Sequence, residues 1–198
     1  VVGGQRGIGS SRFYVERAIF DEFVKRFTMI AGKMGMGDLR DPNTIMAPII
    51  SERQRNRVKD HIEDAKAKGA TVLCGGEFEG NRCRPTILAE DREDMTVCRT
   101  ETFGPVTSIY VVESYEEALE KANDTVFGLS SAIYTTNLEK AIHYATNSGA
   151  GMVHINGSTV YDEAHVPFGG NVESGVGREG TDTDLEARTK VTFGTIHT

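Results

Sequence analysis

The sequence predicts an α/β fold: three layers, with a mostly parallel sheet and helices on both faces. Two observations lead there. Between Val106 and Ile155, short apolar strands alternate with amphipathic helices in the order strand, helix, strand, helix, strand. Connections of only a few residues between such elements require a largely parallel sheet with right-handed crossovers, covered on both sides. Upstream, two further helices carry apolar residues at helical spacing, which marks each as lying on a core. At 198 residues the chain is long enough for one domain with a substantial interior.

Taken in order, Arg12 to Val15 (RFYV) has a strand pattern. Ala18 to Met34 reads as a helix whose Phe20, Phe23, Val24, Phe27, Ile30 and Ala31 form one face. Ser51 and Gln54 make a capping box for a helix to Lys68, with Val58, Ile62 and Ala65 inward, a solvated charged face from Glu52 to Lys66, and Gly69 as the stop. Thr71 to Cys74 and Arg84 to Ala89 are short strands, and Val106 to Val112 is a longer apolar one. Ser114 and Glu117 then cap a helix carrying Ala118, Leu119 and Ala122, and Leu129 to Tyr134 returns as a strand. Thr136 and Glu139 open the next helix, with Leu138, Ala141, Ile142 and Ala145 inward and Gly149 at its end, before the strand Met152 to Ile155. Lys190 to His197 alternates loosely through Val191, Phe193 and Ile196, as an edge strand does.

Composition excludes several classes of function. A net charge of -7 and a pI near 5.3 argue against nucleic acid and against an anionic membrane surface, both of which reward a basic face. Cys74, Cys83 and Cys98 are odd in number and lack C-x-x-C spacing, so no disulfide framework and no thiolate metal site is expected. The apolar runs are too short to span a bilayer and no basic, apolar leader is present, so a reducing, cytoplasmic setting is expected. The chain begins at Val1 without Met and reads as a fragment.

The chemistry concentrates in Arg99 to Val106, RTETFGPV. A carboxylate such as Glu101 accepts two hydrogen bonds from the vicinal hydroxyls of a ribose, and charge-assisted acceptors are the strong ones. Phe103 offers a flat apolar wall. Gly104 and Pro105 turn the backbone, Pro fixing its own φ and pushing Gly104 out of the helical region, so acid and ring are presented at a bend. This suits a nicotinamide ribose with its ring against Phe103.

TETFGPV resembles the E-x-F-G-P-V signature of the aldehyde dehydrogenase superfamily. Val166 to Gly180, VPFGGNVESGVGREG, resembles that family's P-F-G-G-x-x-x-S-G-x-G-R-E segment, and DLRDPNTIMAPIIS (Asp38 to Ser51) resembles its G-D-P-x-D-P-x-T-x-x-G-P-L-I-S loop. The three stand in the family's order and cover nearly the whole chain. Val2 to Gly9, VGGQRGIG, also resembles the phosphate-binding turn of short-chain dehydrogenases. However, no tyrosine here has a lysine four residues on, and RFYV is a strand where that fold needs a helix. The better register is G-Q-x-C-x-x-x-x-R, the aldehyde dehydrogenase nucleophile segment, with Gly4, Gln5 and Arg12 in place and Gly7 where the cysteine belongs. In the family that cysteine attacks the aldehyde as a thiolate and becomes a thioester once hydride has left for the nicotinamide. Glycine cannot, and Ser10, Ser11 and Cys98 are poor substitutes.

The resemblance implies the three-layer α/β catalytic domain over residues 1–189, without its N-terminal cofactor domain, and a C-terminal oligomerisation strand over 190–198. It implies NAD or NADP as cofactor, bound in part by Glu101 and Phe103, no metal, and an aldehyde as substrate. HINGSTVYDEAHVPFGG further resembles benzaldehyde, salicylaldehyde and vanillin type dehydrogenases, which places Phe168 first, then Tyr161 and His165, along a substrate tunnel for an aromatic aldehyde. The general-base Glu, the oxyanion amide and the Rossmann domain stand upstream of the nucleophile in the family, so the chain alone is expected to be an inactive part of an enzyme that forms homo-oligomers through its last strand. The alternative is a non-catalytic scaffold, a degenerate paralogue that keeps the fold for assembly, which Gly7 favours.

Overall fold

The computed structural model describes residues 2–90, 92, 94–190, 192, 193 and 195. It forms two compact units, Val1–Thr125 and Val126–Thr198. The first contains β1 (Arg12–Glu16), α1 (Arg17–Gly32), α2 (Glu52–Ala67), β2 (Thr71–Cys74), β3 (Phe78–Glu79), β4 (Arg82–Cys83), β5 (Thr86–Glu90), α3 (Thr96–Arg99), β6 (Val106–Val112) and α4 (Tyr115–Asn123). The second contains β7 (Phe127–Gly128), β8 (Ser130–Ile133), α5 (Leu138–Asn147), β9 (Met152–Ile155), β10 (Asn171–Val172) and α6 (Thr181–Arg188).

The first unit is built on a four-stranded sheet in the order β1-β6-β5-β2. β1 and β5 both run parallel to β6, and β2 closes the edge antiparallel to β5. Because side chains alternate along a strand, Phe13, Val15, Ile87 and Ile109 fall on one face and Tyr14, Leu88 and Tyr110 on the other. The first face takes Phe20, Phe23, Val24, Phe27 and Ala31 of α1, with the Phe13 and Phe27 rings 5.1 Å apart. The second takes Val58, Ile62 and Ala65 of α2, all fully buried. The two helix faces read from the sequence are therefore the two covering layers of an α/β sheet.

Polar contacts hold the layers at their ends. Arg12 donates from Nη1 to the Lys121 carbonyl at 3.2 Å and from Nη2 to the Ala122 carbonyl at 3.2 Å, so a cation satisfies the open carbonyls where α4 stops. Asp64 on α2 accepts the Thr96 N–H that opens α3 at 2.7 Å and pairs with Lys68 at 3.0 Å. These bonds hold its carboxyl down, at about 2.

In the second unit, β8 and β9 pair in parallel, Ser130 opposite Met152, with α5 packed on β9. The helix starts differently from the sequence reading: Asn137, not Thr136, is the N-cap, its side chain accepting from the Lys140 N–H at 3.0 Å. Its inward residues are Ala141 and Tyr144, whereas Leu138, Ile142 and Ala145 are exposed. An apolar stripe wider than the surface available within the unit leaves one flank outward. The hairpin β3-β4, the short α3 and α6 were not anticipated. Of the expected edge strand over Lys190 to His197, Val191, Gly194, Ile196 and His197 lie outside the described residues, and Lys190, Thr192, Phe193 and Thr195 stand in no strand.

Asp64→Asn should lower stability at neutral pH. A depressed carboxyl stabilises the fold above its ordinary value of 3.8, and that contribution is lost as pH falls through about 2. Urea unfolding of the parent and Asp64→Asn at a series of pH values should therefore show a gap that closes on acidification; a constant gap would contradict the capping role.

Candidate functional site

The bend joining α3 to β6 is gripped by a single face of α2. Gln54, Arg57, Val58 and His61 recur at helical spacing, and each contacts the segment Glu101 to Gly104. Gln54 donates from Nε2 to the carbonyls of Thr102 at 2.8 Å and Phe103 at 2.9 Å. The Arg57 guanidinium donates to the Glu101 carbonyl. His61 Nδ1 lies 2.9 Å from Thr102 Oγ1, with both residues buried. Val58 occupies the space beside Gly104, where an added Cβ would stand 2.5 Å from its Cγ2.

These contacts use main-chain carbonyls, one buried hydroxyl and one missing side chain, so they hold the bend without using Glu101 or Phe103. Glu101 is exposed and, among the described residues, its carboxylate has no hydrogen-bond partner. Phe103 is 37% exposed. Its φ is +53°, a left-handed conformation costly for a bulky residue. The turn was expected at Gly104, but the left-handed residue is Phe103, and Gly104 is required for space. Burial, then the nearby Arg57 charge, lowers the His61 pKa below its ordinary value.

The segment Gly3 to Gly7 packs against the same bend. Gly4 has φ +70° and approaches so closely that a Cβ would stand 2.2 Å from the Gly104 carbonyl oxygen. Gln5 ties this segment to the Asp38 to Ser51 loop, accepting from the Ile50 N–H at 2.8 Å. Gly7 follows in an exposed turn. Cys98, by contrast, is buried in the core with its Sγ against the Tyr110 hydroxyl. The Cys83 thiol is pushed up to about 11 by burial. Cys83 is therefore not a reactive thiolate, and Cys98 is closed off from solvent.

The second unit builds a separate feature. Phe168 and Glu179 exchange backbone hydrogen bonds of 2.8 and 2.7 Å, closing the glycine-rich segment into a loop. Arg178 spans it, donating to the carbonyls of Gly170 and Gly177, each at 2.8 Å, and to Asn171 Oδ1 at 2.7 Å. Ser174 Oγ accepts the Gly128 N–H at 2.9 Å. Phe168 lines a cavity of about 490 Å³ with Val166, Glu163, Glu179, Asp184 and Arg188. Tyr161 and His165 are exposed and flank Glu163: the phenol donates to its carboxylate, and His165 Nε2 lies 3.2 Å away. The bond to Glu163 and its charge hold the Tyr161 phenol above its ordinary value. Asn156, beyond the end of β9, adopts φ +55° and brackets Thr135 with two hydrogen bonds. Among the described residues no cluster could hold a metal ion and no helix is long and apolar enough to cross a membrane.

The aldehyde dehydrogenase family profile matches residues 1–193. The chain belongs to the aldehyde dehydrogenase family. It is 37% identical to the benzaldehyde dehydrogenase YfmT of Bacillus subtilis over 92% of its own length and 38% of the relative's, and equally close to a vanillin dehydrogenase of Corynebacterium glutamicum over the same shares. Among solved structures, betaine aldehyde dehydrogenase from Staphylococcus aureus in complex with NAD+ superposes with a TM-score of 0.89 at 32% identity, covering 93% of this chain and 38% of that one. The glyceraldehyde-3-phosphate dehydrogenase GapN of Methanocaldococcus jannaschii complexed with NADP superposes with a TM-score of 0.90 at 35% identity, covering 94% and 40%. The chain thus spans about two fifths of the length of these relatives.

Within this aldehyde dehydrogenase chain, each of the family-like stretches has a folding reason. Gly4 and Gly104 permit two backbones to meet, Arg12 closes α4, and Arg178 with Ser174 closes the glycine-rich loop. The sequence reading missed the α2 face. Gln54 was assigned to a capping box, but only its backbone N–H meets Ser51, at 3.2 Å, and Arg57 was placed on a solvated face. A run of polar residues interleaved with Val58 at spacing 54, 57, 58, 61 was the available signal. Where the family usually has lysine, the segment reads Asn171-Val172-Glu173, and Val172 adopts φ +55° while 65% exposed.

Gly104→Ala should destabilise the chain by about 1–3 kcal/mol, and adding Val58→Ala should recover part of that loss relative to the sum of the two single changes, as read by urea unfolding. Because a β-branched residue is strained at positive φ, Val172→Asn should raise stability by about 1 kcal/mol; an unchanged melting temperature would refute this.

Proposed function

We propose that residues 1–189 are the catalytic-domain part of an NAD(P)-dependent aldehyde dehydrogenase that oxidises an aldehyde to a carboxylic acid in the complete protein, and that 190–198 form its oligomerisation strand. The observation that carries this reading is the bend itself: an exposed carboxylate and a half-exposed ring, two residues apart, on a backbone clamped from behind. The groups present fit a nicotinamide ribose, since Glu101 accepts hydrogen bonds from its hydroxyls and Phe103 walls the ring and sheds water. A bound dinucleotide would supply the hydride acceptor. The relatives complexed with NAD+ and NADP support either cofactor. The names of the benzaldehyde and vanillin dehydrogenases favour an aromatic aldehyde, with Phe168, Tyr161 and His165 on the side of its ring.

In this chain Gly7 carries no thiol, so no covalent step starts here. The isolated chain is an inactive part that keeps the bend. The second reading, a scaffold that retains the fold for assembly, is favoured by Gly7 alone; the exposed acid and ring have no role in it.

Nicotinamide mononucleotide titrated into isotope-labelled chain should shift the Glu101, Phe103 and Gly104 resonances, and Glu101→Gln should weaken that response several-fold. No shift at the bend at millimolar ligand overturns the cofactor reading and leaves the scaffold. Mixing the chain with NAD or NADP and benzaldehyde should give no reduced-nicotinamide absorbance; turnover would refute inactivity. Self-association through the last strand should appear in gel filtration as a concentration-dependent shift that deletion of 190–198 removes.

A further inference from the structure

His61 is the one titratable ring in the clamp beneath the bend. It is 6% exposed and sits one turn beyond Arg57 and Val58 on α2. Its Nδ1 meets the hydroxyl of Thr102, the residue between Glu101 and Phe103, at 2.9 Å. Thr102 is itself 5% exposed. Its carbonyl is already taken by Gln54 Nε2, so the side-chain contact holds the same residue at a second point. Fixing Thr102 at both its carbonyl and its side chain fixes the directions in which its neighbours leave it.

We propose that His61 is a positioning residue for the ligand-facing bend: in the neutral ring Nδ1 accepts the Thr102 hydroxyl hydrogen and so holds Thr102, and through it sets where Glu101 and Phe103 point, while a proton on Nδ1 ends that acceptance and loosens the hold. The inference rests on the cofactor reading above for what the bend serves. The hydrogen bond of the ring is to Thr102, so it acts on Glu101 and Phe103 through the residue between them.

The surroundings favour the neutral ring. The charged groups acting on it are Arg57, Asp64 and Asp60, all on α2; the bend contributes the Thr102 hydroxyl. Asp64 is engaged by the Thr96 N–H and Lys68, and Arg57 faces the same bend. A proton on His61 would therefore place a second cation beside Arg57 in a buried position. Burial and Arg57 lower its pKa, so the ring is neutral and the lock complete at and above the ordinary imidazole value, and the lock is lost only as pH falls through the lowered folded-state value.

The test is a pH titration of isotope-labelled chain without any dinucleotide, following the His61 ring and the amides of Glu101, Thr102, Phe103 and Gly104 together. The bend amides should move with the ring's midpoint, and that midpoint should lie below the ordinary histidine value of 6.5. In Thr102→Val the ring should still titrate while the amide response falls several-fold, and Thr102→Ser should restore it. His61→Phe, the second variant, should leave the bend amides flat across the same pH range. Amides that ignore the ring, or that follow it equally in Thr102→Val, overturn the inference. Repeating the nicotinamide mononucleotide titration at each pH separates the two readings. Coupled amides with no ligand response at any pH overturn the cofactor role and leave the His61 coupling standing; a ligand response with uncoupled amides does the reverse.

Discussion

The grip of α2 on the backbone of Glu101 to Gly104 is the constraint on which the rest of the candidate cofactor surface depends. Its anchoring atoms are almost all main-chain carbonyls: Gln54 takes two and Arg57 a third. Backbone acceptors are present whatever side chain is attached, so the clamp leaves Glu101 and Phe103 unused. The helix can do this only because its opposite requirement, burial of Val58, Ile62 and Ala65 against the sheet, is met by adjacent positions on nearly the same face. Val58 serves both, being fully buried and also filling the place of a Gly104 side chain.

That dual use explains why the bend tolerates a strained residue. A left-handed Phe costs on the order of 1–3 kcal/mol and persists only where the surroundings over-determine the backbone. Here they do so from two directions, α2 on one side and the Gly4 backbone on the other. Strain alone does not mark a site, because Val172 is equally left-handed within the glycine-rich loop. What separates the two is the chemistry displayed: Val172 is an isolated aliphatic side chain, whereas the Phe103 ring stands two residues from an exposed acid.

The layers of the fold were legible because burial writes itself as periodicity. Phe20, Phe23, Val24 and Phe27 at helical spacing and the apolar run Val106 to Val112 each pointed to the layer they occupy. Leu138 and Ile142 were misplaced for the complementary reason, since periodicity gives the apolar face of a helix but not how much of it a neighbour covers. The exposed acid and ring at Glu101 and Phe103 were legible because the following Gly-Pro pair marks the bend that presents them. Gln54, Arg57 and His61 were not, since a polar side chain that reaches a carbonyl or a hydroxyl more than forty residues away in sequence looks the same as a solvated one. Such partners emerge only when the fold sets the distance.

Gly7 sharpens the distinction between frame and chemistry. The residues around it are held by folding: Gly4 by its contact with Gly104, Gln5 by Ile50, and Arg12 by the end of α4. Gly7 itself lies in an exposed turn, so a change of side chain there disturbs little of the packing that holds the frame. The same logic runs the other way for Glu101 and Phe103, whose side chains contribute little to the frame and whose geometry is nonetheless fixed at a cost. The strained, clamped bend that displays an acid and a ring is what the cofactor proposal rests on, whichever residue stands at position 7.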